Sequence, residues 1–175
     1  MTLFLQKLSR VIDRLNEGFG KGVSWLTSGL IALTVFDVLT RYLLRQSQTW
    51  AIELEWHLFA LIFLWGAGYA LRHDRHVRVD LFYARFNPRD QARVNFWGTL
   101  LLLLPWCLLI VWASWPYARI SLLSLESSPD PGGLPFRFVI KFALILGFLL
   151  LFLQGVSQGI QAGLQLWASD EQKDP

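Results

Sequence analysis

FALILGFLLLFLQGVSQGIQAGLQLWAS, residues 142–169, runs for 28 residues without one charged side chain. VNFWGTLLLLLPWCLLIVWASWPYA, residues 94–118, does so for 25. The hydrocarbon core of a bilayer takes about 20 mostly apolar residues per helix, so both stretches read as spanning helices. Two uncharged runs upstream are shorter, residues 22–36 and 56–71. Each reaches spanning length by taking in charges at one end, Asp37 and Arg41 for the first, Glu53 and Glu55 for the second. The expected fold is an all-α integral membrane protein. Its four transmembrane helices lie near 23–44, 51–71, 90–118 and 137–166, in a single domain (23–166) with a cytoplasmic tail (167–175).

Composition agrees. Apolar residues make up 54% of the 175 and charged residues 17%, against about 25% charged in a soluble domain. Disorder is excluded, because the chain is rich in apolar and aromatic side chains. Cys107 stands alone, so no internal disulfide is possible. The net charge of +3 would suggest nucleic acid only if the basic residues shared a soluble surface. They flank the spans instead, so membrane lipids are expected as partners and nucleic acid is not. Lys and Arg accumulate on the cytoplasmic side of membrane proteins. Eleven of the 16 lie in the N-terminal segment, the connection between helices 2 and 3, and the C-terminal tail. Both termini should be cytoplasmic.

Residues 1–22 carry Phe4, Leu8, Val11, Leu15 and Phe19 at helical spacing, with Lys7, Arg10, Asp13, Arg14 and Glu17 between them. That pattern predicts an amphipathic helix on the cytoplasmic membrane surface rather than a cleaved signal peptide. The stretch EGFGKG (17–22) should break it before the first span. In the 72–93 connection, Val79, Phe82 and Phe86 predict a short surface helix. Asn87, Pro88 and Asp90 then form a helix start: an N-cap, a proline at the first position, and a carboxylate at the positive end. Pro105 should bend the helix that follows. Residues 127–135, SSPDPGGLP, read as a rigid outward-facing turn.

Asp37 and Arg41 share a face of helix 1. Either they pair within the helix near the membrane boundary, or they contact another subunit or serve a proton-coupled site. Arg41 should also clasp Glu53 or Glu55 across the hairpin. Glu53 and His57 share a face, but no second His or Cys joins them, so no metal site is expected. Haem is disfavoured, because only His57 lies in a span while His73 and His76 fall at the opposite side. On helix 4, Gly155, Gly159 and Gly163 repeat every four residues, a pattern suited to close helix packing. Gln154, Gln158, Gln161 and Gln165 form a second stripe, either a wet face or a surface for a partner helix. Trp25, Trp97, Trp115 and Trp167 are placed to anchor span ends, whereas Trp106 should pack mid-span. Nucleotide-binding and metalloprotease motifs are missing, and no broken helices recur in two halves. An accessory membrane subunit without catalytic site, substrate site or cofactor is the expectation.

Arg41-Tyr42, Trp50 with Glu53-Leu54, Trp65-Gly66-Ala67 and His76-Val77-Arg78-Val79-Asp80 together resemble the DctQ-like small membrane subunit of tripartite ATP-independent periplasmic (TRAP) transporters. The segment 128–135, followed by Arg137 and Lys141, is similar to the subgroup labelled for mannitol or chloroaromatic compounds. Many members carry two consecutive Glu after the Trp, whereas here Leu54 separates Glu53 from Glu55. The resemblance implies a three-part, sodium-driven importer of an organic acid, of the 2-oxo or 2-hydroxy class. A periplasmic binding protein captures the acid and a large membrane subunit moves it. This chain would scaffold the large subunit and help dock the binding protein. The alternative reading is a self-contained homodimeric exporter of the small multidrug type using Asp37. A third is a membrane anchor for a redox enzyme.

Overall fold

The computed structural model describes residues 2–75, 83 and 85–171. Four helices account for nearly all of them: α1 (Thr2–Leu43), α2 (Thr49–Arg72), α3 (Pro88–Leu123) and α4 (Phe138–Glu171). Each is long and apolar enough to cross a membrane, which makes the chain an all-α, four-span membrane protein. The expected surface helix in the 72–93 connection falls largely on residues 76–82 and 84, outside the described residues.

α4 is the most buried helix and touches the other three. α1 and α2 pack on each other and on one side of α4, and α3 packs on another. The approach of α2 to α4 is very close. A Cβ at Gly147 would stand 2.9 Å from the backbone oxygen of Leu64, and the Trp65 indole donates to the Ala143 carbonyl over 3.0 Å. Lipid is as apolar as the side chains, so such backbone approach and polar contact hold spans together where hydrophobicity does not. Several of the most deeply buried residues are small, with Ala51, Cys107 and Ala118 wholly enclosed.

α1 departs from expectation. It runs unbroken for 42 residues through the EGFGKG stretch, about 63 Å at 1.5 Å per residue, so the N-terminal segment is not a separate helix. Glycine only weakens a helix, by about 1 kcal/mol against alanine, and packing decides the outcome. Gly20 lies flat against the Tyr69 ring, where any Cβ would collide. The faces of this segment are also distinctive. Phe4, Leu8, Val11, Leu15 and Phe19 are exposed, while Ser9 and Asn16 are buried. The apolar stripe points away from the bundle and the polar stripe into it.

α3 starts as its sequence dictates, with the Asn87 side chain accepting from the Asp90 N–H at 2.8 Å. Its middle contains a wide π turn, Thr99–Leu103, in which the Leu104 N–H reaches back to the Thr99 carbonyl. Pro105, which has no N–H, follows at once; widened turns and proline are the usual causes of helix distortion. Trp106 is 58% exposed rather than packed, and its neighbour Cys107 takes the buried position. α4 continues past residue 166 to Glu171, since no glycine or proline stops it there.

Candidate functional site

The chemistry-bearing residues gather at the two ends of the bundle. At the end carrying residues 44–48 and 124–137, Asp37 pairs with Arg41 within α1. The carboxylate is almost fully enclosed while the guanidinium is half exposed. The other oxygen of Asp37, Oδ1, is buried with no partner among the described residues. The hairpin is closed by rings, with Trp50 against Phe36 at 6.0 Å between centroids.

The expected clasp between Arg41 and Glu53 or Glu55 does not form. Arg41 finds Asp37 one turn back on its own helix, which orders no second element. Glu53 points the other way, into the connection between α3 and α4. It accepts from the Ser128 hydroxyl, and its Oε2 accepts from the Leu134 N–H at 2.6 Å. The connection closes around this carboxylate: Ser128 N–H donates to the Leu134 carbonyl at 3.0 Å, and Gly133 N–H to that of Asp130 at 3.0 Å. Gly132 sits at φ +76°, a conformation open to glycine and strained for other residues. A Cβ at Gly133 would stand 2.9 Å from Glu53 Oε2. Glu55 Oε1 is buried without a partner among the described residues, so of the two carboxylates Glu53 is the organising one.

A second ion pair ties the same connection to α4. Lys141 donates to Glu126, and its ammonium lies 3.8 Å from the centroid of the Tyr117 ring. The lysine beside it holds the Glu126 carboxyl below the usual carboxylate range.

At the opposite end, the glutamine stripe of α4 receives the polar stripe of α1. Asp13 Oδ1 accepts from Gln154 at 2.9 Å and from the Ser157 hydroxyl at 2.7 Å, while Oδ2 accepts from Gln161 at 3.1 Å. Ser9 and Ser157 hydroxyls lie 2.7 Å apart. With the Ser157 proton given to Asp13, Ser9 must donate to Ser157, and Ser9 in turn accepts from Gln161 at 2.9 Å. Glu17 then bridges to α2, with Arg72 at 2.7 Å and His73 at 2.9 Å. The partner of Gln154 and Gln161 in this stripe is thus a segment of the same chain. Its signal was present in the sequence: Ser9, Asp13 and Asn16 recur at helical spacing. In a bilayer that polar face is the one that turns inward.

The glycine stripe faces α3. A Cβ at Gly155 would meet Leu103 and Leu104 side chains at 3.0 Å, at Gly159 the Thr99 methyl at 3.7 Å, and at Gly163 the Phe96 ring at 3.3 Å. His57 bonds to the Glu53 carbonyl and His73 to Glu17, at opposite ends of α2, while His76 lies outside the described residues. Among the described residues no three of His, Cys, Asp and Glu are grouped to hold a metal ion.

The polar groups that bring the helices together come from all four spans, and residues 30–162 match the family model of tripartite ATP-independent periplasmic transporters, DctQ component. No curated protein matches the sequence. The matched span takes in the last third of α1, all of α2 and α3, the connection that closes on Glu53, and most of α4. The chain therefore belongs to the DctQ family, the small membrane component of tripartite transporters, a family of transporter subunits and not of enzymes.

Proposed function

We propose that this chain is the scaffold of a sodium-driven importer of an organic acid of the 2-oxo or 2-hydroxy class, and itself holds neither acid nor ion. It supports the large membrane subunit, and the connection closed around Glu53 helps to seat the loaded periplasmic binding protein. Both termini face the cytoplasm, as the distribution of Lys and Arg indicates. One observation carries this reading. Three carboxylates of the helices are turned to internal use: Asp37 on Arg41, Glu53 on the 128–134 turn, Asp13 on three side chains of α4. The outer sides of α1 and α3 are left apolar and exposed, with Trp25 and Trp112 each 78% accessible. That arrangement suits a frame set in lipid and against a larger partner. The pairing of Asp37 with Arg41 weighs against its use as a lone proton carrier in a homodimeric exporter.

Proteoliposomes should take up the acid only with the binding protein, the large subunit, this chain and a sodium gradient together. Uptake, or micromolar binding of the acid, by this chain alone would overturn the proposal. For the orientation, Asp130→Cys should react with an impermeant thiol reagent added outside the cell and Asp80→Cys should not.

A further inference from the structure

α2 and α3 make little direct contact, and between them runs a trough floored by α4, of about 440 Å³. Its lining changes character along its length. Near the α3–α4 connection it carries Arg137, Lys141 and Tyr117 beside Ile140, and Ser114 follows one turn deeper on α3. Arg137 immediately precedes α4 and Lys141 lies one turn in. Deeper along the same helices the walls and floor become Ala60, Leu64 and Leu144. Trp56 borders the trough with 40% of its surface accessible.

The two cations differ in what holds them. Lys141 is taken up by Glu126 and the Tyr117 ring. The guanidinium of Arg137 has no hydrogen bond among the described residues. Glu53 and Glu126 act on it through their charge, but their own oxygens are engaged by Ser128, Leu134 and Lys141. Five N–H donors in a fixed fork are thus left at the polar mouth of an apolar trough, at the level where a span leaves the hydrocarbon.

From this gradient we infer that the trough holds one phospholipid, its phosphate on the Arg137 guanidinium and an acyl chain along Ala60, Leu64 and Leu144. Arginine matches a phosphate bidentately and through charge. A small soluble anion would satisfy the mouth and leave the apolar length unfilled. A helix of the large subunit would fill the length and leave the donors unmatched. A phospholipid has both halves in the right order. The site lies on one flank of the chain and does not depend on which acid is transported.

Native mass spectrometry of the full-length chain, released from mild detergent with phosphatidylglycerol as the probe, tests this. The chain should retain one lipid tightly. Arg137→Gln should weaken that binding about tenfold, equivalent to about 1.4 kcal/mol, and Arg137→Lys should weaken it less. Leu144→Trp, which fills the trough but leaves the arginine, should give a comparable loss, and it carries the test if Arg137→Gln misfolds. Arg119→Gln, a cation outside the trough, should change nothing. Unchanged retention in both Arg137→Gln and Leu144→Trp overturns the proposal. So does displacement of the lipid by inorganic phosphate at equal concentration, which would mark a site for soluble anions. In the assembled transporter, a photo-reactive residue at position 144 should capture lipid, and capture of the large subunit there would overturn the proposal as well.

Discussion

At the end of the bundle that carries residues 124–137, one carboxylate, that of Glu53, fixes a backbone N–H and a hydroxyl of a connection some eighty residues further along the chain. At the other end Asp13 gathers Gln154, Ser157 and Gln161 from α4. The second arrangement has more bonds, but they are of a different kind. Its donors are side chains that can turn to one another, as Gln161 already does toward Ser157 at 3.3 Å. The Leu134 N–H sits in a closed turn and cannot move to a new acceptor. Adaptability, and not the number of bonds, should decide which end tolerates change.

The largest effect is expected from a change that removes the spacing both ends depend on. Gly147→Leu would push α2 from α4 against backbone, since the Leu64 carbonyl lies 2.9 Å from the new Cβ. Overpacking costs about 1–3 kcal/mol where side chains can yield, and backbone yields less. The variant should melt far below the parent in detergent and fail to co-purify with the large subunit. A normal melting temperature would mean that the two ends hold the helices apart without the glycine contact.

Next comes the contrast itself. Asp13→Ala leaves three donors that can re-pair, at a cost of about 1–2 kcal/mol. Glu53→Ala should lower the melting temperature more than Asp13→Ala does, and should open residues 128–135 to proteolysis while α1 stays protected. Glu53→Gln keeps an acceptor for Leu134 and should fall between. If Asp13→Ala proves the worse of the two, the count of bonds matters more than their freedom, and the contrast drawn above fails.

How these residues read in the sequence follows the same division. Two of the four spans were legible because an uncharged run of 25 or 28 residues has one solution in a bilayer, and the other two because shorter uncharged runs reach spanning length by taking in charges at one end. The start of α3 was legible because a cap is local chemistry, complete within Asn87–Asp90. What could not be read was direction. The pattern in residues 1–22 shows an apolar face suited to lipid and a polar one, without saying that the polar face meets α4. The glycines at 18, 20 and 22 read as a break because the use of Gly20, close approach to Tyr69, depends on a helix some fifty residues away, while Gly18 and Gly22 face open space. Glu53 reads as a partner for Arg41 because both flank one hairpin, while its real partners are 75 and 81 residues distant. No local spacing encodes such a contact.

The smallest effect concerns the Lys141–Glu126 pair, which secures the same connection from its other side. Lys141 holds the Glu126 carboxyl below its ordinary range in the folded chain, whereas the unfolded chain should titrate near about 4.3. A carboxyl whose folded value is depressed stabilises the fold above the unfolded value. That contribution is lost as pH falls through the folded one. The Glu126 side chain is 35% exposed, so solvent screens the pair and the effect should be slight. Melting curves of the parent and of Glu126→Gln should therefore differ by a small, constant amount above about pH 5, and converge at lower pH. Glu53→Ala should depress the melting temperature by more than this at neutral pH. A Glu126 effect that grows on acidification would reverse the sign and show that the lysine does not stabilise the charged carboxylate. An effect as large as that of Glu53→Ala would show that the connection is held by its ion pair and not by the carboxylate at its centre.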